Sequence, residues 1–210
     1  MPDRILRMVF YLLILTVPLQ NAHADRILWD IGHGPLEDYT LDGEYRELRD
    51  RFESIGFELQ NGDQPIDFDA LWDIDILVCS VLSNYDHAYS EDEVERIAAF
   101  VNGGGSLVIL ADVSDHHPEN IEPLLDRFGL SAAQGEGMVE LNRFNDLPVF
   151  ERVESVEFDD GETVGADEEE GGRLVAFDGD GRPGIAVNDG YNGKIILIGD
   201  ADLWTNRMID

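Results

Sequence analysis

The chain has 210 residues, 43% of them apolar, enough for one ordinary domain with a real core and short for two. Its 45 acidic residues against 14 basic ones give a formal charge of -31, which repels nucleic acid and anionic lipid surfaces and excludes them as partners. Lys194 is the single lysine and every other base is arginine, an acid-rich, arginine-biased composition like that of proteins from salt-loving organisms.

Residues 1–24 carry Arg4 and Arg7, an apolar run from Met8 to Leu19, and then Ala22-His23-Ala24. This is the layout of a secretory signal cut after Ala24. A run of about a dozen apolar residues is too short to span a bilayer. The mature chain is expected to begin near Asp25, without a membrane span, and to act outside the cytoplasm, in the periplasm or as a secreted protein. Residues 25–210 are expected to form a single domain.

From Arg26 onward short apolar runs alternate with amphipathic segments, the pattern of βαβ units around a mainly parallel sheet. A first strand is predicted over Arg26 to Ile31. A helix follows from about Glu44 to Ile55, with Tyr45, Leu48, Phe52 and Ile55 on one stripe and Gly56 as its stop. "FELQ" is a short second strand. Asp75 to Val81 is continuously apolar, as buried parallel strands are. It holds Cys79, the only cysteine, expected as a small buried side chain.

"SEDEVERIAAFVNGGG" predicts a helix opened by a capping box between Ser90 and Glu93 and closed at Gly103. Ser106 to Ala111 is the fourth strand, and "ENIEPLLDRFG" is a further helix ending at Gly129. Beyond Leu130 the pattern changes to short strands joined by Gly-Asp turns. "DGDG", Asp178 to Gly181, is predicted as a hairpin turn, since the other ligand positions of a calcium loop and its closing glutamate are missing. "NDGYNG" is a second such turn and leads to a last strand, Lys194 to Gly199. Acidic Asp159 to Gly172 is expected as a mobile surface loop.

In an open parallel sheet, ligands bind beyond the carboxyl ends of the strands. Strand one brings Asp30 and His33 to that edge. Strand three brings Ser80, Ser83, Asn84, Tyr85 and His87, and strand four brings Asp112, Ser114, Asp115, His116 and His117. A last strand running the same way adds Asp200, Asp202 and Asn206. Asp30, His33, Asn84, Asp112, His116, Asp200, Asp202 and Asn206 are the candidate ligand-binding residues.

Each also has an ordinary role open to it. Asp30, Asp112, Asp200 and Asp202 follow strands and suit turn capping, while His116 and His117 precede Pro118 in a loop. No H-E-x-x-H, G-x-S-x-G, P-loop or strand-exit G-x-G-x-x-G is present, so no catalytic residue and no cofactor is assigned. "GGGS", Gly103 to Ser106, ends a helix instead of opening one and is a tight turn, not a phosphate cradle.

"ILWDIGHG", "IDILVCSVL", "YSEDEVERIAAFVNGGGSLVILAD", "ENIEPLLDRFGL" and "GKIILIGDADLWTN" together resemble the glutamine-amidotransferase-like domains of unknown function, relatives of domains in gliding-motility ABC-transporter accessory proteins. The resemblance covers most of the mature chain. It implies a flavodoxin-like, class I glutamine-amidotransferase-like α/β fold: a mainly parallel sheet with helices on both faces, here with a C-terminal β-hairpin extension. Such domains usually lack demonstrated activity. Amidotransferases of this fold carry a nucleophilic cysteine at the turn where this chain has Ala111 and Asp112, and a later histidine and glutamate near Asp200-Ala201-Asp202. The resemblance thus argues against amidotransfer.

The leading expectation is a non-catalytic binding module outside the cytoplasm, taking a small polar ligand such as a saccharide, or a partner protein. The alternative is a metal-dependent hydrolase in which Asp30, His33, Asp112, His116 and Asp200 gather a divalent ion, carboxylate and imidazole being suitable ligands. A purely structural or assembly role is the third.

Overall fold

The computed structural model describes residues 25–33, 38–80, 88–111, 120–145, 147, 150–151 and 153–209. The expected leader, residues 1–24, lies outside them, as do Asn84, Asp112 and His116.

The molecule is a mixed α/β structure around a mainly parallel sheet. β1 (Arg26–Asp30) is followed by α1 (Arg46–Ser54), β2 (Glu58–Gly62), β3 (Ile76–Ser80), α2 (Glu91–Asn102), β4 (Ser106–Leu110) and α3 (Glu122–Arg127). Then come β5 (Leu130–Leu141), β6 (Arg143–Phe144), β7 (Val156–Ala166), β8 (Gly172–Phe177), β9 (Pro183–Asn188), β10 (Ile195–Ile198) and the four-residue α4 (Asn206–Ile209). Eight strands form one sheet in the order β2-β1-β3-β4-β10-β9-β8-β6, and β5 and β7 pair separately. β2, β1, β3, β4 and β10 run parallel. β9, β8 and β6 then add on in antiparallel fashion. Among the described residues no helix is long and apolar enough to cross a membrane.

The strands form where apolar residues run without a break: all five residues of β3, all five of β4 and all four of β10 are buried. Successive strand residues point to opposite faces, and these side chains divide between two apolar clusters. Ile27, Trp29, Ile76, Val78, Val108, Leu110, Ile196 and Ile198 join one, with Leu48 and Phe52 of α1. Leu28, Leu77, Cys79, Leu107, Ile109, Ile195 and Leu197 join the other, with Val94, Ile97, Ala98 and Val101 of α2 and Leu124 and Leu125 of α3. Each large apolar side chain so buried contributes about 2 kcal/mol.

Helix α2 opens with the expected capping box: the Glu93 amide donates to the Ser90 hydroxyl, and the Ser90 amide donates back to the Glu93 carboxylate at 3.0 Å. "DGDG" is the hairpin turn between β8 and β9, with the Asp180 and Arg182 amides donating to Asp178.

Two expectations are corrected. Asp159 to Gly172 is not a loop: through Ala166 it belongs to β7, whose Glu162 is buried and whose backbone pairs with β5. Its net acidity masked a strand because the inward residues Val156, Phe158 and Val164 are spaced by an irregularity in the ladder, with Asp160 in the left-handed region at φ 66°. An extra residue of this kind shifts the two-residue period. The twelve-residue β5 carries no regular alternation and was not expected as a strand at all.

Candidate functional site

Because β1, β3, β4 and β10 are parallel, Asp30, Ser80, Leu110 and Ile198 end at a common edge. The chain leaving β1 there is "DIGHG". Asp30 is its pivot. One carboxylate oxygen accepts from the Gly32 amide at 3.0 Å, which turns the chain off the strand. The other meets His33 Nδ1 at 2.7 Å and accepts from the Tyr89 hydroxyl at 2.6 Å. Gly32 is required by close approach: a Cβ there would stand 2.9 Å from the Gln64 carbonyl oxygen.

On its far side His33 Nε2 lies 3.2 Å from Glu93 Oε1. The ring is stacked on Tyr89 with centroids 4.0 Å apart. The three charged side chains are nearly sealed, Asp30 at 1%, His33 at 7% and Glu93 at 9% exposure. Glu93 is further held by the Ile66 amide at 3.1 Å and the Ser90 hydroxyl at 2.6 Å.

Charge in this cluster follows from its contacts. Burial alone would lower the His33 pKa, but the hydrogen bonds and charges of Asp30 and Glu93 outweigh it, and the pKa is raised. Burial pushes Glu93 upward, yet its bonds to Ser90, the His33 charge and the Ile66 amide leave it below the ordinary glutamate value. Both ring nitrogens of His33 face carboxylates, an arrangement that favours its protonated form. Each ring nitrogen is engaged by one of the chain's own carboxylates, so a metal ion or a substrate proton would have to displace one of these contacts.

Asp200, Asp202 and Asn206 form a second group after β10. Asp200 accepts from the Asp202 and Asp159 amides, each at 2.7 Å. Asp202 accepts from the Tyr39 hydroxyl at 2.5 Å and has Arg207 at 3.8 Å. Asn206 ties the C-terminal turn to the start of α1, accepting from the Glu47 amide at 2.9 Å and donating to the Gly43 carbonyl at 3.0 Å. Aromatic rings connect the groups: Trp29, beside Asp30 on β1, packs 4.4 Å from Tyr45 and 6.1 Å from Trp204, and the Tyr45 hydroxyl donates to the Ala201 carbonyl.

The described candidates therefore fall into two groups on one edge. Asp30 and Asp200 take the turn-capping role as well as any other. Among the described residues no group of three or more His, Cys, Asp or Glu side chains is arranged to hold a metal ion. Cys79 lies inside β3, fully buried, and burial followed by the Asp30 charge raises its thiol pKa well above normal. Tyr89 and the second role of Glu93 were missed from sequence. The available signal was position, since "YSEDE" opens α2 directly after the exit of β3.

A family model spans residues 77–210, which begins inside β3 and takes in β4, β10 and the whole antiparallel extension. The chain belongs to the family described as Domain of unknown function (DUF4350). No curated protein matches it in sequence. Among solved structures it is similar to the mmIFT52 N-terminal domain, at 14% identity and a TM-score of 0.66, covering 87% of this chain and 89% of that one. It is also similar to a glutamine amidotransferase from Thermotoga maritima, with 17% identity and a TM-score of 0.56 over 84% of this chain and 75% of that one. A Thermoplasma acidophilum protein described as part of a GMP synthase shares 12% identity at a TM-score of 0.56, over 90% and 94% of the two chains. These likenesses establish distant kinship of fold with amidotransferase-like structures.

Proposed function

We propose that this member of the family is an exported, non-catalytic binding or assembly module on a flavodoxin-like, glutamine-amidotransferase-like scaffold, taking a saccharide or a partner protein at the carboxyl edge of its sheet. The strand order β2-β1-β3-β4-β10 supports the flavodoxin-like reading. So does the division of helical side chains between two clusters, α1 with one and α2 and α3 with the other, as helices on both faces require. Export rests on the basic, apolar, small-residue layout of residues 1–24.

The observation that carries the non-catalytic reading is how the reactive groups at this edge are used. The only thiol is inside a strand with a raised pKa, and the histidine leaving β1 has both nitrogens turned to the chain's own carboxylates. A nucleophile needs a lowered pKa or a neighbouring base free to take its proton. Neither condition is met by Cys79 or His33.

The test is turnover on purified protein, with ammonia release from glutamine and hydrolysis of p-nitrophenyl acetate and phosphate, each with and without Mg, Mn or Zn. The expected result is no rate above that of Cys79→Ser and Asp30→Asn variants. Turnover that Asp30→Asn removes while its melting transition survives would overturn the reading and revive the metal-dependent hydrolase.

A further inference from the structure

We infer that the turn carrying Phe68 and Trp72 is a docking surface for a polypeptide segment bearing lysine or arginine beside an apolar side chain. The inference stands apart from the carboxyl-edge site. It concerns the crossover from β2 to β3, which ends at the opposite edge, where Asp73 pairs with Arg26 at the start of β1.

The crossover sorts its apolar residues sharply. Ile66, Leu71 and Ile74 turn inward and join the core cluster that holds α2. Phe68 and Trp72 stay outside, at 67% and 83% exposure, although the other two tryptophans, Trp29 and Trp204, are buried. Burying them would be favourable, and the chain leaves them in water. The turn that presents them is held from within. The Asp67 carboxylate accepts from the Ala70 amide at 2.8 Å, the Trp72 amide donates to the Asp69 carbonyl, the Ile66 amide donates to Glu93, and Arg96 donates to the Ile66 carbonyl. Aromatic side chains on an anchored turn lose little freedom when a partner covers them, which is what makes such residues binding hot spots.

Charge selects the occupant. Residues 63–75 contain five aspartates and no base. Asp63, Asp67, Asp69 and Asp73 are exposed in the same segment as the two rings. The bases nearby are already engaged, Arg26 with Glu58 and Asp73, and Arg96 with Asp92. A lysine or arginine arriving here gains the attraction of the aspartates and, over the Trp72 ring, a cation–π contact. A second copy of the chain, at a formal charge of -31, and an anionic membrane are both repelled.

The test uses a short synthetic peptide of alternating lysine and leucine, with glutamate–leucine and lysine–serine peptides of equal length as controls, in about 0.15 M salt to screen general attraction. Affinity is read from the fluorescence anisotropy of dye-labelled peptide, and, with Trp29 and Trp204 buried, acrylamide quenching of the wild type reads Trp72. The lysine–leucine peptide is expected to bind and to shield Trp72 from quencher, with about tenfold weaker affinity for Trp72→Ala and for Phe68→Ala. Both variants change exposed side chains, and their melting temperatures are checked for parity with the wild type.

No binding, equal affinity for the variants, equal binding of the lysine–serine peptide, or binding that leaves Trp72 open to quencher each overturns the inference. Shielding of Trp72 by phosphatidylglycerol vesicles, or by raised protein concentration alone, overturns it in favour of a membrane or a second copy.

Discussion

His33 Nε2 stands 3.2 Å from Glu93 Oε1, so the chain leaving β1 is fastened to the first turn of α2 across 60 residues of sequence. With Asp30 on the other ring nitrogen, the clasp closes over a buried imidazole.

Removing the ring leaves two carboxylates sealed in the protein without their counter-charge. His33→Ala is expected to lower stability by about 3 kcal/mol, the usual cost of stripping one partner from a buried charge cluster. Urea unfolding followed by circular dichroism measures it. A loss below about 1 kcal/mol would show that the clasp is no more than a surface pair.

The pH dependence has a defined sign. The folded pKa of His33 is raised, so its contribution is complete below the ordinary histidine value of 6.5 and is lost as pH climbs through the raised value. Glu93 has a lowered pKa, so its contribution is present above the ordinary 4.5 and is lost as pH falls through the lowered value. The gap in melting temperature between wild type and His33→Gln is expected to be widest at about pH 6 and to narrow by about pH 9. An unchanged gap across that range would mean that folding leaves the His33 pKa where it is in the unfolded chain.

Cys79 is predicted to be inert until the sheet opens. Iodoacetamide at about pH 8 should leave the native protein unlabelled and modify it quantitatively in denaturant, because attack needs an exposed thiolate. Rapid native labelling would contradict both the burial and the raised pKa.

Asn206 is expected to matter for stability whatever its part in binding. Asn206→Ala removes its bonds to the Glu47 amide and the Gly43 carbonyl, a loss of about 1–2 kcal/mol. Faster hydrogen exchange at Glu47 and along α4 checks where the loss falls. Full stability with unchanged exchange would contradict the tie.

Much of this was legible in the residues. β1, β3, β4 and β10 are runs of buried apolar side chains whose identity alone marks them, and α2 announces its first turn with Ser90 and Glu93. The first half of β7 was legible, "VEFDD" reading as a short strand, but its continuation past Asp160 and all of β5 were not, because the two strands pair across an irregular register that hides the two-residue period. At the site, Asp30 and His33 stood out by type and by position at a strand exit. Glu93 did not, since one carboxylate caps its helix and also meets an imidazole 60 residues earlier, and only the second role depends on tertiary structure. The same holds for Tyr89, whose hydroxyl reaches Asp30 from 59 residues away.

The large sheet ends on one side in β2, "ELQNG", and on the other in the two-residue β6. Neither makes a good template for another strand: β2 is polar and half exposed, with Glu58 tied to Arg26, and β6 is too short to hold a ladder. Lateral growth of this sheet into fibres is therefore disfavoured at its source. The molecule can be crowded at high concentration with the apolar central strands β3, β4 and β10 kept away from those of its neighbours.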